Sequence, residues 1–75
     1  MSQPVLQANE LIRVLKNHGF QIVRQKGSHV RLRHADGRVT SVPFHPRQDI
    51  GKGLLRKILR DVELSVEDIY KGKEG

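Results

Sequence analysis

The chain contains no cysteine. No disulfide framework holds it together, and nothing points to an oxidising compartment. The same absence argues against structural zinc. The four histidines, His18, His29, His34 and His45, have no thiolate partners and no His-x3-His spacing. No apolar run approaches the roughly 20 residues that cross a bilayer. Met1-Ser2-Gln3-Pro4 offers neither the basic nor the apolar region of a signal peptide. The expectation is a soluble cytoplasmic protein with no membrane association. Carboxylates are also scarce through the middle of the chain: between residues 24 and 60 only Asp36 and Asp49 stand among ten Lys and Arg. Metal-dependent phosphodiester chemistry uses clustered carboxylates, so neither a metal nor another cofactor is expected.

What is present is positive charge, unevenly placed. The 75 residues make one small domain, residues 1–75, with a net charge of +6. Residues 24–46 carry net +4, residues 47–60 carry net +4, and the last fifteen carry net −3. A concentrated basic patch is the electrostatic footprint of a polyanion partner, or else a solubilising surface.

Apolar spacing gives the elements. Residues 1–6 read as a loose lead-in. Ala8, Leu11, Ile12 and Leu15 form one helical stripe from about Gln7 to Asn17 or His18, with Glu10 in the capping-box position. Gly19 suits the left-handed position that ends a helix, and His18 is assigned to the dipole of that last turn. Phe20 to Gln25 is a strand whose register is open, because Phe20, Ile22 and Val23 do not fit one alternation. Lys26-Gly27 read as a two-residue turn would pair Val23 with Val30 and Arg24 with His29.

The next strand alternates cleanly. Val30 and Leu32 face one side; His29, Arg31 and Arg33 face the other. A three-residue Ala35-Asp36-Gly37 loop opposes Leu32 to Thr40, Val30 to Val42, Arg31 to Ser41 and His29 to Pro43, which keeps the faces unmixed. The third strand is then about Arg38 to Phe44, with Pro43 at an edge or an end. A second helix from about Gly51 to Asp61 buries Leu54, Leu55, Ile58, Leu59 and Val62 and exposes Lys52, Arg56, Lys57 and Arg60. Ser65 and Asp68 open a short helix, Val66 to Tyr70, after which the tail should fray. The fold class is α+β: αβββα, a three-stranded antiparallel sheet with two helices on one face and a short C-terminal helix. The other sheet face stays open.

By these registers the open face gathers Arg24, His29, Arg31, Arg33 and Ser41, with His45 as a further candidate. RNA carries its own nucleophile, the 2′-OH. Cleavage needs a base for that proton, cations for the phosphorane and an acid for the leaving 5′-oxygen. Imidazole, with a pKa of about 6.5, serves either proton role, and guanidiniums grip phosphate oxygens. His29 with its arginines is thus a minimal metal-free ribonuclease site, or simply an exposed histidine on a wet strand. His34 lies on the Val30/Leu32 face and reads as structural. His45 fits three roles: second proton carrier, phosphate contact or loop hydrogen bond. Lys52, Arg56 and Lys57 are a further basic surface, for phosphates, for an acidic protein or for neither.

Gly19-Phe20, Arg24-Gln25-Lys26-Gly27-Ser28-His29, Asp36-Gly37-Arg38, Val42-Pro43-Phe44-His45 and Gly53-Leu54-Leu55-Arg56-Lys57-Ile58-Leu59-Arg60 together resemble the HicA (YcfA-like) family of mRNA interferase toxins. The match runs in order and without a gap from about Glu10 to Tyr70, within a domain core of about residues 7–70. The resemblance implies a double-stranded-RNA-binding-domain-like αβββα fold. It implies ribosome-independent mRNA cleavage by the histidine of the Gly-Ser-His turn, here His29. It also implies inhibition by a HicB-type antitoxin that covers the basic face. The expected phosphate contacts are Arg24, Lys26, Ser28, Arg31, Arg33, Lys52, Arg56 and Lys57; the second proton carrier is His45 or a substrate-bound water; the toxin alone is expected to be a monomer. One departure is Glu63, where the family often has glycine. The competing expectations are a non-catalytic RNA-binding module and a protein-interaction adaptor.

Overall fold

The computed structural model describes residues 6–45 and 48–74. The expected lead-in at residues 1–5, Arg47, and Gly75 lie outside the described residues. The elements are α1 (Ala8–Asn17), β1 (Phe20–Lys26), β2 (His29–His34), β3 (Val39–Pro43), α2 (Lys52–Val62) and α3 (Val66–Glu74). The sheet is antiparallel in the order β1-β2-β3. This is the expected α+β, αβββα arrangement.

The α1 stripe is buried as Ala8, Leu11, Ile12, Val14 and Leu15, and the α2 stripe as Leu55, Ile58, Leu59 and Val62. Both close on Phe20, Val30, Leu32 and Val42 from the sheet. The Glu10 carboxylate accepts the Gln7 backbone N–H at 3.0 Å, so the acid of the expected capping box is in place. Leu6 departs from the lead-in reading. It is buried, and its carbonyl accepts the Ile50 N–H at 2.7 Å. At the other end, α3 continues to Glu74 instead of fraying after Tyr70. Ser65 and Asp68 cap it reciprocally: the Ser65 N–H donates to the Asp68 carboxylate at 2.9 Å, and the Asp68 N–H donates to the Ser65 hydroxyl at 3.1 Å. Ile69 then buries α3 against α1.

The β2–β3 register is the one that unmixed faces require: His29 opposes Pro43, Val30 opposes Val42, Arg31 opposes Ser41 and Leu32 opposes Thr40. Gly37 has φ +101, the left-handed conformation that the three-residue loop demands.

The β1–β2 register differs from the expected one. The two-residue connection is Gly27-Ser28, so Lys26 opposes His29, Gln25 opposes Val30 and Arg24 opposes Arg31. Gly27 carries the positive φ of +58, where a type II′ turn needs glycine at its first central position. Continued evenly, this register would turn Phe20 and Ile22 to the open face. A β-bulge at Val23 prevents that: past it Ile22 opposes Leu32 and Phe20 opposes His34. Burial of the Phe20 side chain contributes about 1.5–3 kcal/mol. A lost ladder hydrogen bond costs about 0.5–1.5 kcal/mol, so the bulge wins. It leaves Val23 54% exposed.

Candidate functional site

The open face consists of three cross-strand rows. The first is Lys26–His29–Pro43. The second is Arg24–Arg31–Ser41, with Val23 crowded beside Arg24 by the bulge. The third is Gln21–Arg33–Val39. Directly opposed residues have Cβ atoms about 4.5–5.5 Å apart. The rows therefore place Lys26, Arg24, Arg31 and Arg33 on one surface with His29 and with no carboxylate. None of these four cations forms an ion pair or side-chain hydrogen bond with another described residue. The expected neighbour of His29 was Arg24; the turn makes it Lys26 and moves Arg24 one row along.

His29 is exposed at the head of β2. Its position is fixed on both sides. The Gly27-Ser28 turn holds it opposite Lys26, and the Ser28 carbonyl accepts the backbone N–H of Phe44, which ties the start of β2 to the exit of β3. Ser28 itself is half-buried. His45 is exposed two residues beyond Pro43, the cross-strand partner of His29. It lines a cleft of about 340 Å³ with Pro43, Asp49, Gly51 and Leu54, between the β3 edge and the start of α2.

The remaining described basic residues are not on this surface. The α2 helix packs on the far side of the sheet, so Arg56 and Lys57 point to solvent away from the three rows. Lys57 lies 3.7 Å from the Asp61 carboxylate, which also accepts the buried Thr40 hydroxyl at 3.1 Å. Lys52 is exposed in the first turn of α2, next to the His45 cleft. Arg38 is a structural cation. Its guanidinium donates to Asp36 at 2.8 Å and to the Val62 carbonyl, and sits 5.2 Å over the Phe20 ring centroid. His34 stacks edge-on against the same ring at 5.1 Å, and its Nδ1 accepts the Asp36 backbone N–H at 3.1 Å. Together Arg38 and His34 lock the end of the β2–β3 hairpin onto the core, a structural role that charge counting alone assigns to neither.

Among the described residues two carboxyls are perturbed, both far from His29. The backbone N–H of Arg38 holds Asp36 below the ordinary carboxylate range, helped by the Arg38 guanidinium. The backbone N–H of Ser65 does the same for Asp68, helped by the Ser65 hydroxyl. Another cleft, about 340 Å³ and lined by Ile12, Ile22, Val30 and Phe44, opens on the helix side of the sheet, opposite His29.

Two residues of the open face stand out against the sequence reading. Val23 and Val39 are exposed on the cationic face, flanking Arg33. The failure of Phe20, Ile22 and Val23 to alternate was the one signal in the sequence for the bulge that puts Val23 there.

Fold and face together define a small α+β protein with helices on one side of its sheet and a free cationic surface, headed by a histidine, on the other. The model of the family described as "HicA toxin of bacterial toxin-antitoxin" matches residues 8–64, from the start of α1 to the turn before α3, and the chain belongs to that family. It is therefore a toxin of a toxin–antitoxin system, with a cognate antitoxin as its partner. Comparison with curated proteins gives no match.

Proposed function

We propose that this toxin is an endoribonuclease that cleaves mRNA in the cytoplasm without a metal, with His29 carrying the proton of the attacking 2′-OH. The observation that supports this most is the composition of the open face: one exposed imidazole beside Lys26, three unpaired guanidiniums in the two further rows, and no carboxylate. RNA lies along β2 with its phosphates on Arg24, Arg31 and Arg33. The imidazole of His29 removes the 2′-OH proton. The 2′-oxygen then bonds to phosphorus and the bond to the 5′-oxygen breaks. Lys26 and the neighbouring guanidiniums offset the charge of the phosphorane. The leaving 5′-oxygen takes its proton from His45 or from a water carried by the substrate. The products are a 2′,3′-cyclic phosphate and a 5′-hydroxyl. Ser28 lends its turn to this site, and Lys52 extends the phosphate path past the His45 cleft. The antitoxin is of HicB type and opposes the cationic face with acidic groups.

The chemistry is tested with an oligonucleotide that carries one 2′-deoxy residue at its cleavage position. It stays intact while the all-ribose strand is cut to a cyclic phosphate, and chelation with EDTA changes neither result. Cutting of the deoxy strand, or loss of activity on chelation, overturns the mechanism.

One observation favours a second reading. No described residue hydrogen-bonds the His29 imidazole, whereas a catalytic base is usually oriented by a partner. A module that grips RNA without cutting it needs no such partner. It would give salt-dependent binding and full recovery of intact RNA.

A further inference from the structure

The third row of the open face differs from the other two. It ends in a small cavity of about 260 Å³ lined by Gly19, Gln21, Val23, Arg33, His34 and Ala35. Sites that enclose drug-sized ligands occupy roughly 300–1,000 Å³, so this one suits a smaller, flat group. Val23 and Val39 are two of the three large apolar side chains exposed on the described surface, and both flank Arg33. Packing makes no use of Val23; the bulge that rescues Phe20 turns it outward. The open face has no Phe, Tyr or Trp side chain among the described residues, since Phe20 and Phe44 pack on the helix side. Arg33 supplies the planar surface in their stead.

We propose that Gln21, Val23 and Arg33 form a nucleobase subsite, seating one unpaired base about two nucleotides from the phosphate beside His29. The spacing follows from the strand. His29 and Arg33 are four residues apart on β2, about 13 Å at 3.3 Å per residue. A splayed single strand, at about twice the stacked rise of 3.4 Å per nucleotide, covers that in about two steps. The guanidinium plane of Arg33 stacks on the base, as arginine does in single-stranded RNA recognition. Val23 supplies apolar contact to the same ring, and the Gln21 amide presents a donor and an acceptor to the base edge. The occupant is RNA because the cavity lies at the end of the line of unpaired cations that runs across the three rows, which only a polyanion complements along its whole length.

The inference rests on the RNA reading above, and one assay separates the two. Labelled single-stranded RNA is titrated with His29→Ala protein at low salt, moving a single abasic residue along the strand. One abasic position, distinct from the residues at the scissile bond, weakens binding about fivefold or more. Val23→Ser and Gln21→Ala, both at exposed positions and checked for an unchanged melt, weaken binding to the intact strand similarly and remove the sensitivity to that abasic position. Equal sensitivity at every position, or unchanged binding by both variants, overturns the subsite and leaves the RNA reading standing. Absence of any RNA binding by the parent protein overturns both.

Discussion

Glu63 holds a left-handed backbone, φ 56 and ψ 40, at the end of α2. It is the only described non-glycine residue with positive φ. A side chain there costs roughly 1–2 kcal/mol, which explains why glycine suits this turn. Glu63→Gly should therefore raise stability by about 1 kcal/mol, read as a higher denaturant midpoint at an unchanged slope. Gly19 gives the opposite case. Its φ is +95, and a Cβ added there would come within 2.8 Å of the His34 Nε2. Gly19→Ala combines backbone strain with displacement of the ring that packs on Phe20. A loss of about 2 kcal/mol or more is expected in the same measurement.

At the scale of elements, the hairpin loop and the α3 cap are held by carboxylates. Asp36 receives the Arg38 backbone N–H and guanidinium; Asp68 receives the Ser65 N–H and hydroxyl. Both carboxyls are depressed in the folded protein. Their contribution is full above the unfolded value of about 4 and is lost as pH falls through the lower folded values. Thermal melts of the parent should show falling stability from about pH 4 downward. The Asp36→Asn, Asp68→Asn double variant should be less stable at neutral pH and show a shallower acid slope. An equal slope would remove these two groups from the acid response.

How far each element can be read from the sequence follows from the same contacts. The β2–β3 register is legible because both strands alternate and Gly37 fixes the loop. The β1–β2 register is not, because it depends on two local events that alternation does not encode: which of Lys26, Gly27 and Ser28 form the turn, and where an extra residue is absorbed. Leu6 is misread for a different reason. A lone leucine ahead of a helix has no period, and its segment is held in place by a backbone hydrogen bond from the distant Ile50. The shared face of His29, Arg31 and Arg33 is legible because they sit on the alternating strand; the placement of Arg24 and Lys26 depends on the turn. Arg38 reads as one more surface charge until Phe20 and Val62 are brought beneath it.

At the scale of the whole molecule, the helices cover one side of the sheet and leave the other cationic. In the proposed reading Lys26, Arg24, Arg31 and Arg33 each release a counterion on binding a phosphate. Affinity for single-stranded RNA should fall with salt at a slope of about −0.7 per phosphate contact, and Arg31→Ala should reduce the slope by about that amount. An unchanged slope would move the RNA off this face. The antitoxin competes for the same surface in this account, so RNA and antitoxin should not bind together.

The most direct test is to compare the parent toxin and a folded His29→Ala variant on one RNA strand at neutral pH. Cleavage should disappear with the imidazole while salt-dependent RNA binding remains. Cleavage by the variant at the parent's rate would show that the chemistry lies elsewhere on the molecule.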